Sequence, residues 1–302
     1  MNLPRRPDLD PRALLTRLDP VLADASITEL GEGWDNVAYA VDPPSSGPLV
    51  SRDRLVLRVS KFTEAAERRA TAARDDLILR VLAAHTDVQT NRLLAALPDE
   101  GALLLTAVAG VPVAQTRPRD DARLGAALGR VLAQVHAVPV EGLDKALGTI
   151  DSEGWLAHRS AEVARVADRL GERDREMAER FLNRPAPRHP ERIVLCHNDL
   201  GEDHIFVDPE SQELTGIIDW SDAMLGDPAR DFALVLFDLG DAALEAALAA
   251  YGSLDQGLAE RTTWYAACAG LAGAASRLEA GDEPGAAETF TRVRQVVARF
   301  EG

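Results

Sequence analysis

The apolar pattern predicts that the first third of the chain is rich in β-strands. In residues 55–59 the side chains alternate between two faces, as is typical of a strand. Leu55, Leu57 and Val59 share one face, and Val56 and Arg58 share the other. Similar short apolar stretches predict strands at 27–30, 37–41, 92–96 and 102–107. Helices are predicted in the same region at 11–23 and 63–84. A run of prolines and serines at 43–48 predicts a loop.

From about residue 120 the pattern changes to long amphipathic stretches, which are typical of helices. They predict helix at 121–136, one or two helices at 155–182, and helix at 229–252 and about 257–300. Short apolar runs predict a hairpin-like insert at 193–219. Asp227 and Pro228 resemble a helix start, with aspartate as N-cap and proline at the first position. We therefore expect an α+β fold with a β-rich N-terminal lobe at 1–107 and a larger helical C-terminal lobe at 108–302.

Composition narrows the classes to which this chain can belong. Of its 302 residues, 46% are hydrophobic and 27% are charged, as in ordinary globular proteins. The net charge of −16 argues against nucleic acid as a partner, because binding to phosphate backbones needs clustered lysine and arginine. The charge would favour a cationic small molecule, but the simpler interpretation is a solvated acidic surface that aids solubility.

The sequence also bears on the cellular compartment. No stretch has the apolar character of a signal peptide or a membrane span, so we expect no membrane partner. The two cysteines, Cys196 and Cys268, show no disulfide or metal-binding spacing, which fits a reducing compartment. These features predict a cytoplasmic protein.

Three separate segments carry residues suited to phosphoryl transfer. They are 197–204 (His-Asn-Asp-Leu-Gly-Glu-Asp-His), 216–220 (Gly-Ile-Ile-Asp-Trp) and the strand with Arg58. Transfer of a phosphoryl group needs a carboxylate near the attacking hydroxyl, a divalent metal on the phosphates and a cation that places them. Asp199 and Asp219 each end or follow a short apolar run, so an anchored backbone presents each carboxylate.

These segments resemble the aminoglycoside and macrolide phosphotransferases, a branch of the protein-kinase-like fold. His197-x-Asp199, followed by His204, matches the catalytic loop of that family, and the segment around Asp219 is similar to its metal-binding segment. The segment 226–231 (Gly-Asp-Pro-Ala-Arg-Asp) follows at the usual distance. Upstream, 31–36 (Gly-Glu-Gly-Trp-Asp-Asn) resembles the nucleotide-covering loop, and 55–58 resembles the strand that normally carries a phosphate-binding lysine.

The resemblance implies a bilobal protein-kinase-like fold with a catalytic hairpin in the larger lobe. It implies ATP or GTP as phosphate donor, Mg²⁺ as cofactor and a hydroxyl-bearing small molecule as acceptor. The lobe at 1–107 would then bind the nucleotide, and the lobe at 108–302 would hold the catalytic residues and the acceptor.

The resemblance also assigns roles to single residues. Asp199 is the expected catalytic base, His204 and Asp219 are the expected metal ligands, and Asp231 is expected to brace the catalytic loop. Contacts to the nucleotide are expected from Gly31, Gly33, Asn36, Arg58 and Asp75. His204 departs from the common pattern, since this position is often asparagine, but macrolide phosphotransferases also carry histidine there.

Two assignments remain open in the N-terminal lobe. Arg58 replaces the usual lysine, and Lys61, three residues further on, is the alternative phosphate ligand. The acidic partner of Arg58 is expected on the next helix, where Asp75 is favoured over the other acidic residues. Those others are Glu64, Glu67 and Asp76.

The expected function is an O-phosphotransferase that inactivates an antibiotic such as an aminoglycoside or a macrolide. The alternative is a metabolic kinase for a sugar, an amino alcohol or a nucleoside on the same scaffold. A pseudokinase that only binds nucleotide fits less well, because both key carboxylates, Asp199 and Asp219, are present. The sequence lacks Gly-x-x-x-x-Gly-Lys, which excludes P-loop chemistry.

Overall fold

In the computed structural model a five-stranded sheet is formed within residues 26–106 and helices dominate the remainder of the chain, which confirms the α+β class. The structure describes residues 3–43, 54–116, 120–252 and 255–300. The loop predicted at 43–48 lies, apart from Pro43, outside the described residues. The chain divides into two units. The first comprises Met1–Ala84, Gln89–Ala109 and Gly216–Ser221, and the second comprises His85–Val88, Gly110–Thr215 and Asp222–Gly302.

The first unit is built on a five-stranded antiparallel sheet. Its strands are β1 (Ser26–Glu32), β2 (Asn36–Asp42), β3 (Leu55–Ser60), β4 (Leu93–Leu97) and β5 (Ala102–Thr106), in the order β1-β2-β3-β5-β4. Two helices, α1 (Pro11–Leu18) and α2 (Ala65–His85), accompany the sheet. All seven elements were predicted, with boundaries that differ by a few residues.

The alternation within β3 sends its side chains into two different cores. Leu57 and Val59 are fully buried in a cluster that includes Leu14 and Leu15 of α1. Val56 packs on the other face, where the buried cluster includes Ala72 of α2. The side chain of Arg58 belongs to this second face, because positions two apart in a strand share a face. The register of the sheet therefore directs Arg58 toward α2.

The turn predicted at 31–36 is shorter in the structure. β1 continues through Glu32, and Asn36 is already the first residue of β2, so that 33–35 form the turn. The pairing of β1 with β2 shifts register between Glu29 and Gly31. Such an irregularity breaks the two-residue hydrophobic period, which is why the sequence pattern ended the strand too early.

Helices form most of the second unit. They are α3 (Asp121–Val135), α4 (Asp144–Leu147), α5 (Ser152–Arg165), α6 (Glu172–Leu182), α7 (Ala229–Leu234), α8 (Asp241–Tyr251), α9 (Leu258–Glu279) and α10 (Glu283–Val297). Of the one or two helices predicted at 155–182 the structure has two, α5 and α6, and the stretch predicted at 257–300 contains α9 and α10. None of the described helices combines the length and the apolar character needed to cross a membrane.

Short strands surround the segment that carries the candidate chemistry. They are β6 (Val111–Pro112), β7 (Val194–Cys196), β8 (Ile205–Val207), β9 (Leu214–Ile217) and β10 (Met224–Gly226). β8 and β9 are neighbours in a three-stranded sheet of order β6-β8-β9, so the predicted hairpin is present. β7, which was expected to join the hairpin, pairs with β10 instead. Strands of two or three residues such as β6 and β10 carry too little periodicity to be found in a sequence.

The helix predicted at 229–252 is interrupted. Pro228 is the N-cap of α7, one residue later than expected, and Asp227 Oδ1 accepts a hydrogen bond from the Ala229 backbone N–H at 3.0 Å. A π-helical turn, Val235–Leu239, follows α7 directly. Gly240, with φ of 86°, separates this turn from α8.

Glycines allow α3 and α8 to pack very closely. A Cβ placed on Gly125 would lie 2.1 Å from the Ala243 carbonyl oxygen, and one placed on Gly129 would lie 2.1 Å from that of Ala247. Both pairs are spaced four residues apart, so one face of α3 lies against the backbone of α8. This contact requires glycine at both positions of α3.

We predict opposite effects for two glycine-to-alanine substitutions inside helices. Gly129→Ala should lower the free energy of unfolding by about 1–3 kcal/mol, because the added methyl group forces α3 and α8 apart. Gly273→Ala, in α9, should raise it by roughly 0.5–1 kcal/mol, because alanine favours helix and the nearest atom to its Cβ is 4.0 Å away. Urea denaturation measures both, and an equal loss of stability in the two variants would contradict the close packing of α3 on α8.

Candidate active site

The loop between β7 and β8 is held by a buried carboxylate. Asp231 of α7 is fully buried, and its two oxygens accept hydrogen bonds from consecutive backbone N–H groups. Oδ2 accepts from His197 at 2.9 Å and Oδ1 accepts from Asn198 at 2.8 Å. Asp231 thus braces the loop from the following helix, as the sequence predicted.

A histidine of α3's C-terminus supports this carboxylate. His136 Nε2 lies 3.0 Å from Asp231 Oδ2, and its Nδ1 lies 3.0 Å from the Tyr251 hydroxyl. Burial acts to raise the pKa of Asp231, but the hydrogen bond and the charge of His136 outweigh it, so this pKa lies below its ordinary value. His136 is buried, and its two ring nitrogens connect α3 and α8 to the loop.

Further contacts fix the backbone just before and after Asp199. His197 is fully buried, and its Nδ1 accepts a hydrogen bond from the Asp199 backbone N–H at 3.2 Å. Asn198 has a positive φ of 69° and donates from its side chain to the Asp222 carbonyl oxygen at 2.9 Å. A non-glycine residue in this region of φ is strained and persists only where its surroundings hold it.

Asp199 and His204 lie together on this loop. The Asp199 side chain is 49% exposed, although its backbone is held from several sides. His204 Nδ1 lies 2.7 Å from the Asp199 carbonyl oxygen and 3.5 Å from its Oδ2. Because a carbonyl oxygen only accepts, Nδ1 carries the proton there, and Nε2 is the nitrogen that can serve as a metal ligand when the ring is neutral.

A cavity of about 360 Å³ adjoins Asp199 and His204 in the second unit. Its carboxylates are Asp199, Glu202, Asp203, Asp238 and Glu288, and its arginines are Arg277 and Arg292. Gly270 and Gly273 of α9 and Phe237 also line it. The carboxylates outnumber the arginines, and each arginine already pairs with an acidic residue: Arg277 with Asp282 at 2.7 Å and Arg292 with Glu288 at 3.0 Å. The lining as a whole is negative.

Asp238 is a buried acid of this cavity with a raised pKa. It lies in the π-helical turn, and burial together with the nearby charge of Glu202 raises its pKa to about 6. Its Oδ2 also accepts a hydrogen bond from the Glu202 backbone N–H at 3.4 Å. This residue was not predicted from the sequence, since an isolated acid in an apolar helical stretch shows no motif.

The first unit holds a second group of candidate residues around Arg58. The Arg58 guanidinium forms an ion pair with Asp75 of α2, and its Nη1 lies 3.5 Å from Asp219 Oδ1. Of the four acids considered from the sequence, the structure therefore pairs Arg58 with Asp75. Burial acts to lower the pKa of Arg58, but the charges of Asp75 and Asp219 outweigh it, so this pKa is raised.

Asp219, like Asp199, has an exposed side chain on a fixed backbone. Its side chain is 42% exposed, and its backbone has a positive φ of 60°. The Ser221 hydroxyl donates to Asp219 Oδ1 at 2.5 Å, and the buried Trp220 indole donates to the Ile217 carbonyl oxygen at 3.2 Å. A fixed and strained backbone again presents an accessible carboxylate.

The charges around Arg58 suit an additional cation. Asp35 joins Asp75 and Asp219 in the field of this one guanidinium, and burial raises the pKa of Asp35 above its ordinary value. Three carboxylates against one arginine leave an excess of negative charge. Mg²⁺ prefers oxygen ligands, so the accessible Asp219 carboxylate fits it, whereas the His204 imidazole fits it less well.

The remaining candidates lie at the turn between β1 and β2. Gly31 is in β1, and a Cβ placed there would meet nothing within 4 Å. Gly33 is in the turn, and its N–H donates to the Asn36 carbonyl oxygen at 2.9 Å. The Asn36 side chain donates to Asp35 Oδ1 at 2.7 Å. Neither glycine has a positive φ, so the backbone conformation by itself does not require glycine at these positions.

Comparison with known proteins identifies the family. The profile of a phosphotransferase enzyme family matches residues 26–265, which is most of the chain. The chain belongs to this phosphotransferase family. The match includes all eight residues that sequence analysis selected for the site.

Individual relatives agree with this assignment. The chain is 31% identical to the aminoglycoside 3'-phosphotransferase of Streptomyces ribosidificus over 47% of its own length and 55% of that protein, and so spans about half of this relative. It is 29% identical to the streptomycin 3''-kinase of Streptomyces griseus over 68% of the chain and 78% of the kinase. The GDP complex of aminoglycoside 2'-phosphotransferase-IIIa has the same fold, with a TM-score of 0.72, 22% identity, and coverage of 95% of this chain and 97% of that one.

We predict that Asp231→Asn destabilises the chain by about 1–3 kcal/mol, because an amide nitrogen would face one of two backbone N–H groups that need an acceptor. Asp208→Asn is the matched control. Asp208 also accepts two backbone N–H groups, but both bind the same oxygen, Oδ1, at 3.0 and 2.8 Å, and an asparagine carbonyl can replace it. Urea denaturation of both variants is the measurement, and equal midpoints would show that Asp231 does not brace the loop as described.

Proposed function

We propose that this chain is an O-phosphotransferase that moves the γ-phosphate of ATP or GTP to a hydroxyl of an antibiotic. The observation that carries the proposal is the accessible Asp199 carboxylate, which lines a cavity and stands on a backbone fixed by buried Asp231. A general base must be reachable by its substrate and held in one place. The two relatives described above carry the names of antibiotic phosphotransferases.

In the proposed reaction, Asp199 is the catalytic base. It accepts the proton of the acceptor hydroxyl as that oxygen bonds to the γ-phosphorus. The bond from the γ-phosphorus to the oxygen bridging to the β-phosphate breaks, and ADP or GDP leaves with the electron pair. The products are the phosphorylated acceptor, a nucleoside diphosphate and one proton. The residues around Asp199 hold the loop, and the base contributes roughly 10²–10⁴-fold to such a rate.

The N-terminal lobe, 1–107, is proposed to bind the nucleotide, with Arg58 as the phosphate contact and Asp75 as the residue that orients Arg58. Gly31, Gly33 and Asn36 are proposed to lie along the nucleotide, where glycine lets a phosphate approach the backbone. Asp219 would hold Mg²⁺, and His204 is the proposed second ligand. When bound, Mg²⁺ neutralises phosphate charge.

The C-terminal lobe, 108–302, is proposed to bind the acceptor in the cavity beside Asp199. Its excess of carboxylates over arginines favours an acceptor with amino groups, as aminoglycosides have. A cytoplasmic location is part of the proposal. Cys196 and Cys268 are both buried free thiols, which fits a reducing compartment, and the nucleoside triphosphates ATP and GTP are abundant in the cytoplasm.

A panel of acceptors tests this function. The chain is incubated with Mg²⁺ and either ATP or GTP against aminoglycosides, neutral macrolides, and sugars, amino alcohols and nucleosides, and the gain of one phosphate is read by mass spectrometry. We expect phosphorylation of a cationic antibiotic, and a roughly 10²–10⁴-fold lower turnover in Asp199→Asn with nucleotide affinity retained. Asp208→Asn is the control and should keep the wild-type rate. Turnover of only a metabolite would replace the antibiotic function, and a fully active Asp199→Asn would exclude Asp199 as base.

We predict that Asp219→Ala removes the dependence of nucleotide binding on Mg²⁺. Without metal, triphosphate is repelled by the surrounding carboxylates, so the wild type should bind ATP or GTP much more tightly when Mg²⁺ is present. Titration calorimetry with and without Mg²⁺ measures the difference. Ser221→Ala, which removes only the hydroxyl bonded to Asp219, is the control and should keep the Mg²⁺ dependence. Asp219 is not a metal ligand if its alanine variant responds to Mg²⁺ as the wild type does.

A further inference from the structure

Lys61 is directed at the turn between β1 and β2. Its side chain is fully buried, and its Nζ donates to Glu32 Oε1 at 2.9 Å and to the Gly33 carbonyl oxygen at 2.7 Å. Its backbone N–H donates to the Asp35 carbonyl oxygen at 2.7 Å. Lys61 therefore contacts Glu32 at the end of β1 and two residues of the turn, Gly33 and Asp35. A lysine so buried and bonded is a poor phosphate ligand, which favours Arg58 over Lys61 for that role.

Arg5 holds the other side of the same carboxylate. Its Nε donates to Glu32 Oε2 at 2.8 Å, while its Nη2 and Nη1 donate to Glu29 at 2.6 and 3.0 Å. The Glu32 carboxylate thus lies between two cations, one buried and one at the surface. The hydrogen bond from Lys61 and then that from Arg5 lower the pKa of Glu32 below its ordinary value, so Glu32 is charged at neutral pH.

Leu3 and Arg6, which lie near Arg5 in the chain, also form hydrogen bonds with the turn and the sheet. The Leu3 backbone N–H donates to the Trp34 carbonyl oxygen at 2.9 Å, inside the turn. Arg6 is buried and donates from Nη2 to the Glu100 carbonyl oxygen at 2.8 Å, between β4 and β5. Residues 3–6 therefore join the turn to the body of the sheet. We call residues 3–6, Glu32 and Lys61 the loop clasp.

Inside the turn, the Gly33 N–H donates to the Asn36 carbonyl oxygen and the Asn36 side chain donates to Asp35 Oδ1, while the Trp34 side chain stays largely in solvent. Trp34 is 54% exposed, with an edge contact to the Phe62 ring at 6.3 Å. Gly31 and Gly33 have no side chains, and glycine loses more conformational freedom on ordering than any other residue. Contacts from outside the segment add to these, because Arg5, Lys61 and Leu3 bind Glu32, Gly33, Trp34 and Asp35.

We propose that Lys61, Glu32 and Arg5 are positioning residues that hold the 31–36 loop in the conformation that receives the nucleotide. The proposal rests on the proposed function of that loop. It makes residues 3–6, which contain no motif, part of the determinants of nucleotide affinity. Loss of the clasp leaves a loop that must be ordered at each binding event, and this ordering weakens binding without changing the chemical step.

The test compares clasp variants with a matched control. Arg5→Ala, Glu32→Gln and Lys61→Met remove one member each, and Arg17→Ala removes an arginine of the same unit that pairs with the Glu100 carboxylate at 2.9 Å. We expect Arg5→Ala to raise the KM for ATP or GTP roughly threefold or more, with kcat and the KM for the acceptor unchanged. Lys61→Met should have the larger effect, and Arg17→Ala none.

A merely structural ion pair would give a different result. In that case the variants would lower the thermal midpoint, and the KM for nucleotide would stay within about twofold of the wild type. Arg5→Lys, which keeps the charge, should restore part of the affinity lost in Arg5→Ala. If Lys61→Met does not fold, Arg5→Ala and Glu32→Gln decide the question, because both residues reach the surface. An unchanged nucleotide KM in these two variants overturns the proposal.

A substitution in the loop itself separates this proposal from the proposed function. Gly31→Val places a side chain where the structure has open space, so it should fold and should obstruct a nucleotide that approaches the backbone. If Gly31→Val weakens binding of ATP and GTP by calorimetry but the clasp variants do not, the clasp proposal alone is wrong. If Gly31→Val has no effect, or if the wild type binds neither nucleotide, the assigned role of the loop is wrong and the clasp proposal fails with it.

Discussion

The buried carboxylate of Asp231 is the constraint on which the presentation of Asp199 depends. A charge without access to water is tolerated only if hydrogen bonds replace its hydration, and here two backbone N–H groups and the His136 ring do so. Those same bonds fix the loop before Asp199. Stabilising the buried charge and positioning the candidate base are therefore one interaction, and His136 and Tyr251 extend it to α3 and α8.

The two candidate carboxylates share one arrangement in different units. Asp199 and Asp219 are about half exposed, and each lies on a backbone with a strained non-glycine residue, Asn198 for the first and Asp219 itself for the second. Backbone strain of this kind persists only where the surrounding contacts stabilise the conformation by more free energy than the strain costs. An accessible side chain on a fixed backbone is what a group that acts on a ligand needs, because little order has to be gained when the ligand binds.

Arg58 and Lys61 show how two cations three residues apart come to differ. Arg58 lies within β3 on the face of α2, where Asp75 pairs with it and Asp219 and Asp35 add negative charge. Lys61 follows the strand and turns to the loop, where Glu32 and the Gly33 carbonyl oxygen bind its ammonium group. Their positions relative to the end of the strand, and not the type of charge, decide that one faces an acidic cluster and the other braces the backbone.

Local pattern was sufficient for most of the longer helices and strands and for the motif residues. Alternation placed Arg58 opposite Leu57, and the spacing of Asp199, His204 and Asp219 indicated the family, because these features depend on neighbours in the chain. The pairing of β7 with β10, the partners of Glu32 at positions 5 and 61, and the raised pKa of Asp238 were not accessible in this way. Each depends on residues far apart in sequence or on burial, and a one-dimensional pattern contains neither distance nor exposure. The sequence by itself determined which groups are available for chemistry, and the tertiary structure decided which of them are buried, braced or accessible.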